Sequence, residues 1–143
     1  MQKRTLQVFL VVVLGATAVV AWNIGRDLYW RNHPDAAFKS ITGHVLPPGV
    51  RATAYAHHVN DNLFHTTHYW LLAGAPSELH QVIAGTEFAR SDEDARQMLP
   101  DLQELFGVDW SPEQVVAGYE WELARNRWYY IFAGENRALY VHS

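Results

Sequence analysis

The chain of 143 residues contains no cysteine, and this absence excludes several classes of chemistry. There can be no disulfide framework, thiolate nucleophile, cysteine-ligated zinc or iron–sulfur site, or c-type haem attachment. Charged residues are also sparse, at 18%, whereas apolar residues make up 49%, so a disordered tail or a collagen is excluded. At roughly 100 to 200 residues per domain, the length fits one globular unit.

The common catalytic motifs are also missing from the sequence. No G-x-S-x-G is present for a serine nucleophile, and no H-E-x-x-H for a zinc hydrolase. Neither G-x-G-x-x-G nor G-x-x-x-x-G-K, which cradle phosphates, occurs. We therefore predict no cofactor, and the sequence favours a protein that is not an enzyme.

The N-terminal residues differ in composition from the rest of the chain. Residues 6–22 contain only two polar side chains and no charged one. As a helix this run spans roughly 26 Å, close to a hydrocarbon core of about 30 Å. The sequence predicts a transmembrane anchor in residues 1–22, a juxtamembrane connector in 23–34 and a domain in 35–143.

A cleaved signal peptide is a second interpretation of this run. The best cleavage site follows Ala21, but Val19 stands at the position where Ala is preferred. Trp22, Tyr29 and Trp30 instead resemble the aromatic belt of a retained anchor. We therefore favour a signal-anchor over release of a secreted domain.

The basic residues near the N-terminus predict the orientation of the anchor. By the positive-inside rule, Lys3 and Arg4 keep the N-terminal tail in the cytoplasm, although Arg26 and Arg31 dilute the bias. We therefore expect a single-pass membrane protein with its domain outside the cytoplasm.

The predicted domain is acidic. Beyond residue 22 there are nine basic and fifteen acidic residues, a charge of −6. Such a surface repels phosphate backbones, so nucleic acid is not expected as a partner.

The first part of the domain predicts a short helix and a hairpin. A helix is expected to begin at residues 35–38 and to end at Gly43. Residues 50–59 and 64–73 are rich in β-branched and aromatic side chains, and residues 60–62 between them tolerate positive φ. This pattern is typical of a β-hairpin.

Helix signals dominate the middle of the domain. Pro76 opens one helix, and Ser91 is the expected N-cap of another. Pro100 interrupts it, so a further helical segment should end at Gly107. Ser111 followed by proline marks one more short helix.

The C-terminal third predicts a three-stranded meander with strands at 119–123, 128–132 and 138–142. Two-residue turns at 125–126 and 135–136 give a register that gathers the apolar side chains on one face. These are Tyr119, Trp121, Leu123, Trp128, Tyr130, Phe132, Leu139 and Val141. The expected solvent face collects Glu120, Glu122, Arg127, Tyr129, Ile131, Tyr140 and His142. The predicted fold is therefore α+β, with an antiparallel sheet of about five strands packed on two or three helices.

Six of the eight histidines lie between His44 and His80. With a two-residue hairpin loop, His58 would face His65 across the strands, near enough for both rings to contact one metal ion. Asn60 or Asp61 is the nearest third ligand. Because two imidazoles do not make a site, we expect no tight metal binding and keep these histidines as weak candidates only.

A second candidate is the row Glu122, Tyr129 and His142 on the predicted solvent face. A carboxylate, a phenol and an imidazole could perform acid–base chemistry in a pocket. On an open sheet face they more often contact a partner. The predicted interaction face therefore consists of Glu120, Glu122, Tyr129, Tyr140 and His142.

The segment Ile41-Thr42-Gly43, followed by Leu46-Pro47 and a hairpin, resembles the start of many small bacterial lipoproteins and membrane-tethered domains. The likeness extends from Phe38 to Ala84. The chain departs from the lipoproteins because it has no cysteine to lipidate, so attachment to a membrane would require the apolar helix. The resemblance implies a bacterial protein with an extracytoplasmic, periplasmic and membrane-attached domain, and it implies no particular activity.

These observations favour a membrane-anchored domain, attached through residues 6–22, that binds a protein partner or serves as an accessory module of a membrane or envelope complex. The alternative is a metal-dependent or acid–base enzyme that uses the His-rich hairpin or the row containing Glu122.

Overall fold

The computed structural model describes residues 2–59, 65–123, 126–134 and 136–143. Its helices are α1 (Gln2–Asn32), α2 (Pro34–Thr42), α3 (Pro76–Gln81), α4 (Asp92–Gln97) and α5 (Leu102–Phe106), with a 3-10 turn at Pro112–Gln114. Its strands are β1 (Arg51–Val59), β2 (Thr66–Ala73), β3 (Phe88–Arg90), β4 (Val115–Trp121), β5 (Arg127–Phe132) and β6 (Arg137–His142).

The strands of the described residues form one antiparallel sheet in the order β1-β2-β6-β5-β4-β3. The α+β class predicted from the sequence is confirmed. The sheet has six strands, where about five were expected, because β3 adds to the edge beside β4. A three-residue strand has too few side chains to show an alternating pattern, so the sequence did not indicate it.

The predicted connector is helical throughout most of its length. Helix α1 continues to Asn32, and only His33 separates it from α2. Trp30 packs against the domain core, edge-on to Tyr55 with ring centroids 6.0 Å apart. The apolar helix and the domain are therefore joined without a flexible linker.

Helices cover both faces of the sheet. On one face, Phe38 of α2 and Leu79 of α3 pack on Trp70 and Tyr140. On the other face, Leu102 of α5 and Ala95 of α4 lie in a second cluster with the opposite side chains of the sheet. The central strands accordingly carry continuous apolar runs such as residues 129–132, as is usual when a sheet is buried on both sides.

Two helix ends lie where the sequence placed them. Gly43 ends α2 with φ of 75° and Gly107 ends α5 with φ of 69°. These left-handed conformations cost little for glycine, which has no Cβ. The N-cap of α5 is Asp101, whose side chain accepts a hydrogen bond from Glu104 N at 3.0 Å.

The predicted register of the meander is wrong for β4. Tyr119 pairs with Tyr129, and Glu120 with Trp128, so β4 is displaced by three residues from the expected alignment. Because three is odd, Tyr119 lies on the face opposite to the predicted one. The turn between Trp121 and Arg127, which is longer than two residues, accounts for the displacement. Leu123, expected in the core, is 74% exposed.

The prediction that this face of the meander is exposed to solvent is also wrong, because α2 and α3 pack on that face. Tyr129 is completely buried, and Ile131 and Tyr140 are 5% and 3% exposed. Strand β6 is displaced by two residues from its expected alignment with β5, since Tyr130 pairs with Leu139 rather than Val141. Because two is even, the faces are preserved, and Trp128, Tyr130 and Phe132 share a cluster with Leu139 and Val141 as the pattern predicted.

Candidate functional site

The two histidines expected to face each other do not pair. His58 lies opposite Thr67 rather than His65, because the connection from β1 to β2 is longer than two residues. Asn60 and Asp61, the suggested additional ligands, lie outside the described residues. Within the described ranges, no group of three or more His, Asp or Glu side chains is placed to hold a metal ion.

The actual register pairs His57 with His68, and their ring centroids are 6.3 Å apart. This pair is part of a polar row that crosses four neighbouring strands, consisting of His57, His68, His142 and Arg127. Two residues along each strand, and on the same face, lies an aromatic row of Tyr55, Trp70, Tyr140 and Tyr129. The polar row therefore borders the buried aromatic core.

A cavity of about 400 Å³ opens where the end of α1 meets the hairpin, and we call it the junction cavity. Helix α1 contributes Asn23, Arg26, Asp27 and Trp30. The hairpin contributes Tyr55, His57, Val59, Thr66 and His68, and α2 contributes Ile41. Its walls combine aromatic rings with charged and hydrogen-bonding groups, as ligand sites commonly do.

Asp27 links the helix to the hairpin at this cavity. Its Oδ1 lies 3.1 Å from His57 Nδ1, and its Oδ2 accepts a hydrogen bond from Arg31 Nε at 3.0 Å. Both Asp27 Oδ1 and His57 Nδ1 are shielded from solvent, and neither has a hydrogen-bond partner of good geometry among the described residues. Each of these two atoms therefore depends on the other for electrostatic stabilisation.

His68 and Tyr55 form the inner wall. The Tyr55 hydroxyl and His68 Nδ1 are 2.8 Å apart. Burial lowers the pKa of His68 to about 4, and the positive charges that His57 and His142 would carry lower it further. Burial, together with the charge of Asp27, raises the pKa of Tyr55 to about 12. Near neutral pH the phenol is thus protonated and the imidazole uncharged, and the tautomer of His68 sets which of the two groups donates the hydrogen bond between them.

His142, at the far end of the polar row, is also held uncharged. Burial lowers its pKa to about 4, and the positive charge of Arg127 lowers it further. Its Nδ1 is buried without a hydrogen-bond partner among the described residues. The polar row therefore contains two histidines that resist protonation.

The junction cavity offers two kinds of chemistry. A carboxylate oxygen 3.1 Å from Nδ1 of His57 places an acid beside an imidazole, the pairing found in hydrolase triads. Arg26, in contrast, provides a guanidinium that can bind an anion. The first property suits proton transfer and the second suits ligand binding.

The predicted interaction face is divided by the actual fold. Glu122 is exposed beyond the end of β4, and Glu120 lies on the sheet face opposite to Tyr129. The Tyr129 hydroxyl donates to Leu79 O at 2.8 Å and is fully buried. Tyr129 is therefore part of the buried core. The predicted row of Glu122, Tyr129 and His142 does not form on a solvent-exposed face.

Sequence reasoning missed Asp27 and His57 as a pair. Asp27 lies in the predicted connector of residues 23–34, for which the sequence predicted no site residue. Its spacing of four residues from Arg31 could have indicated a helical ion pair and thus a longer helix. Nothing local in the sequence indicates which hairpin residue this helix contacts.

Residues Gln7–Asn32 form a helix that is long and apolar enough to cross a membrane, and its most apolar window is 0% buried. A signal sequence meets the same criteria, whereas a core helix of a soluble protein would be mostly buried. No protein-family model, curated protein or solved structure matches the chain.

Proposed function

We propose that the protein is a single-pass membrane protein whose small α+β domain binds a protein partner or serves as an accessory module of a membrane or envelope complex. The observation that supports this most is the unburied apolar helix that runs directly into the domain. An exposed apolar helix of this length is costly in water and stable in a bilayer.

The contacts at the end of α1 support a retained anchor rather than a removed signal. Trp30 and Asp27 contact the core and the hairpin, so this helix end belongs to the folded domain. A cut after Ala21 would leave Trp22 and Ile24, which are 72% and 56% exposed, on a released domain. Retention in the bilayer covers them.

The proposed orientation places the N-terminus in the cytoplasm and the domain outside, following Lys3 and Arg4. The resemblance to membrane-tethered bacterial domains favours the same location. A domain held at the membrane surface most readily contacts a partner that is embedded in, or attached to, the same membrane.

The absence of cysteine allows a direct test of anchoring and orientation. Single cysteines are introduced by Ser77→Cys on the exposed start of α3 and by Gln2→Cys near the N-terminus. On intact cells or spheroplasts, a membrane-impermeant maleimide should label the first variant and not the second. After detergent lysis it should label both.

Intact mass measurement of the membrane fraction provides the second readout. Residues before Ala21 should be present in the purified protein. A mature N-terminus at Trp22, or labelling of Gln2→Cys and not Ser77→Cys on intact cells, would contradict the proposal.

An acid–base enzyme is the second candidate, and the Asp27–His57 contact is the observation that favours it. A protein that co-purifies with the full chain, but not with residues 1–32 alone, would favour the binding function. A reaction that is lost in His57→Gln and retained in His58→Gln, which alters the neighbouring histidine of β1, would favour the enzyme.

A further inference from the structure

We propose that Arg26 binds the phosphodiester of a single zwitterionic phospholipid, whose headgroup enters the junction cavity. This inference rests on the proposed membrane anchoring and adds a ligand to it.

Arg26 is a cation without an ion pair among the described residues. Its Nη2 donates to Asn23 Oδ1 at 3.3 Å, and its guanidinium carbon lies 4.9 Å from the ring centroid of Trp30. Arg31, five residues further along the same helix, is instead paired with Asp27 at 3.0 Å. Arg26 therefore retains N–H donors for a ligand, and the planar guanidinium matches two oxygens of a phosphate.

Two concave surfaces meet at Arg26. The junction cavity lies on the domain side. A second concavity, of about 420 Å³, lies along α1 between Trp22 and Tyr29, with Ala21 and Gly25 at its floor and almost wholly apolar walls. We call it the apolar groove. Arg26 is the residue that lines both, so a ligand spanning them would be apolar at one end and polar at the other.

The position along α1 places Arg26 at the depth of lipid phosphates. Arg26 is four residues beyond Trp22, where the apolar run of residues 6–22 ends, and therefore about 6 Å further along the helix. The polar layer on each side of a bilayer is about 5 to 8 Å thick. The apolar groove then adjoins the acyl chains, and the junction cavity adjoins the headgroups.

Charge complementarity favours a headgroup that also carries a cation. The chain beyond residue 22 has a charge of −6, which disfavours an anionic membrane surface. The rings of Trp30 and Tyr55 line the cavity, and the faces of aromatic rings attract ammonium groups. A phosphodiester linked to an ammonium group satisfies both Arg26 and these walls.

Native mass spectrometry of the full chain, delipidated in a non-ionic detergent, tests the proposal. Four probes are compared: dioleoyl phosphatidylethanolamine, the corresponding phosphatidylglycerol, dioleoylglycerol and inorganic phosphate. We expect one phosphatidylethanolamine per chain, retained about ten-fold more tightly than dioleoylglycerol, which lacks the phosphate. Arg26→Gln should remove this preference, whereas Arg51→Gln, at an exposed arginine of β1, should keep it.

Several results would overturn the proposal. Equal retention by Arg26→Gln and Arg51→Gln would remove Arg26 from the site. A preference for phosphatidylglycerol would refute the zwitterionic headgroup, and inorganic phosphate binding alone would indicate a site for a soluble anion. If Arg26→Gln binds lipid like the wild type and is still found in the membrane fraction, the lipid site is refuted and the proposed membrane anchoring is not. If the wild type is not membrane-bound, the proposed function fails as well.

Discussion

Adjacent tyrosines in β5 provide a sharp test of the fold, since their side chains lie on opposite faces of the sheet. Both Tyr129 and Tyr130 are completely buried. Tyr129 donates to Leu79 O at 2.8 Å, whereas the Tyr130 hydroxyl has no hydrogen-bond partner among the described residues. Replacing each tyrosine by phenylalanine removes its hydroxyl group, which is hydrogen-bonded in Tyr129 and, within the described part of the chain, has no partner in Tyr130.

The expected effects differ in sign. Tyr129→Phe removes one neutral hydrogen bond, which lowers the free energy of unfolding by about 1 kcal/mol. The loss is no larger because Leu79 O keeps a bond from Val82 N at 3.2 Å. Tyr130→Phe removes an unpaired buried hydroxyl, whose desolvation opposes folding, so stability should stay the same or rise by about 1 kcal/mol.

Thermal and urea unfolding of the full chain in a mild detergent, followed by near-ultraviolet circular dichroism, measures both variants. Relative to wild type, the midpoint should fall by about 4 °C for Tyr129→Phe and should not fall for Tyr130→Phe. The urea m-value should be the same for all three proteins, which shows that only stability has changed. Equal losses in the two variants, or a larger loss in Tyr130→Phe, would refute the assignment of faces.

The other two predictions concern a histidine and a glycine. Because burial lowers the folded-state pKa of His68 from 6.5 to about 4, the unfolded chain binds more protons between these values, so stability should fall as the pH drops from about 6.5 towards 4. The slope of the urea midpoint against pH should become shallower in His68→Asn, and an unchanged slope would contradict the shift. A Cβ at Gly118 would overlap the Cβ of Ala95 in α4, so Gly118→Ala should lower the free energy of unfolding by about 1 to 3 kcal/mol. Gly15→Ala, which meets nothing within 4 Å, is the control, and equal unfolding midpoints would show that α4 is not packed against β4 as described.

Local signals in the sequence predicted the ends of elements well. Gly43, Pro76 and Gly107 each act on their own neighbours, through φ or through the missing N–H of proline, and α2, α3 and α5 end or begin at them. Pro100 separates α4 from α5, as expected. The effect of these residues on the backbone does not depend on which other elements pack against the segment.

Register was predicted poorly because it depends on distant packing. An alternating pattern fixes the register of a strand only when one face is buried, and here helices cover both faces. Tyr119 and Tyr129 are apolar enough for either face, so the pattern could not decide between them. The same uncertainty in turn length moved the histidine pair from His58 and His65 to His57 and His68.

The candidate site was missed for a related reason. Asp27 lies thirty residues before His57 in the chain, and their contact requires α1 to continue past the apolar run and to lie along β1. Helix continuation was readable from the i, i+4 pair of Asp27 and Arg31. The direction in which the helix meets the hairpin follows from the packing of Trp30 on Tyr55, which no local pattern indicates.

The single residue between α1 and α2 limits the motion of the domain relative to α1. A flexible tether of many residues would let a domain sweep a volume that grows with the tether length. Here His33 is the whole connection, and its backbone N–H still bonds to Tyr29 O at 2.9 Å. With α1 in a bilayer, the domain would diffuse in two dimensions at a nearly constant height, and a change in the tilt of the helix would turn the domain with it. Partner encounter would then be governed by lateral density in the membrane rather than by concentration in the surrounding solution.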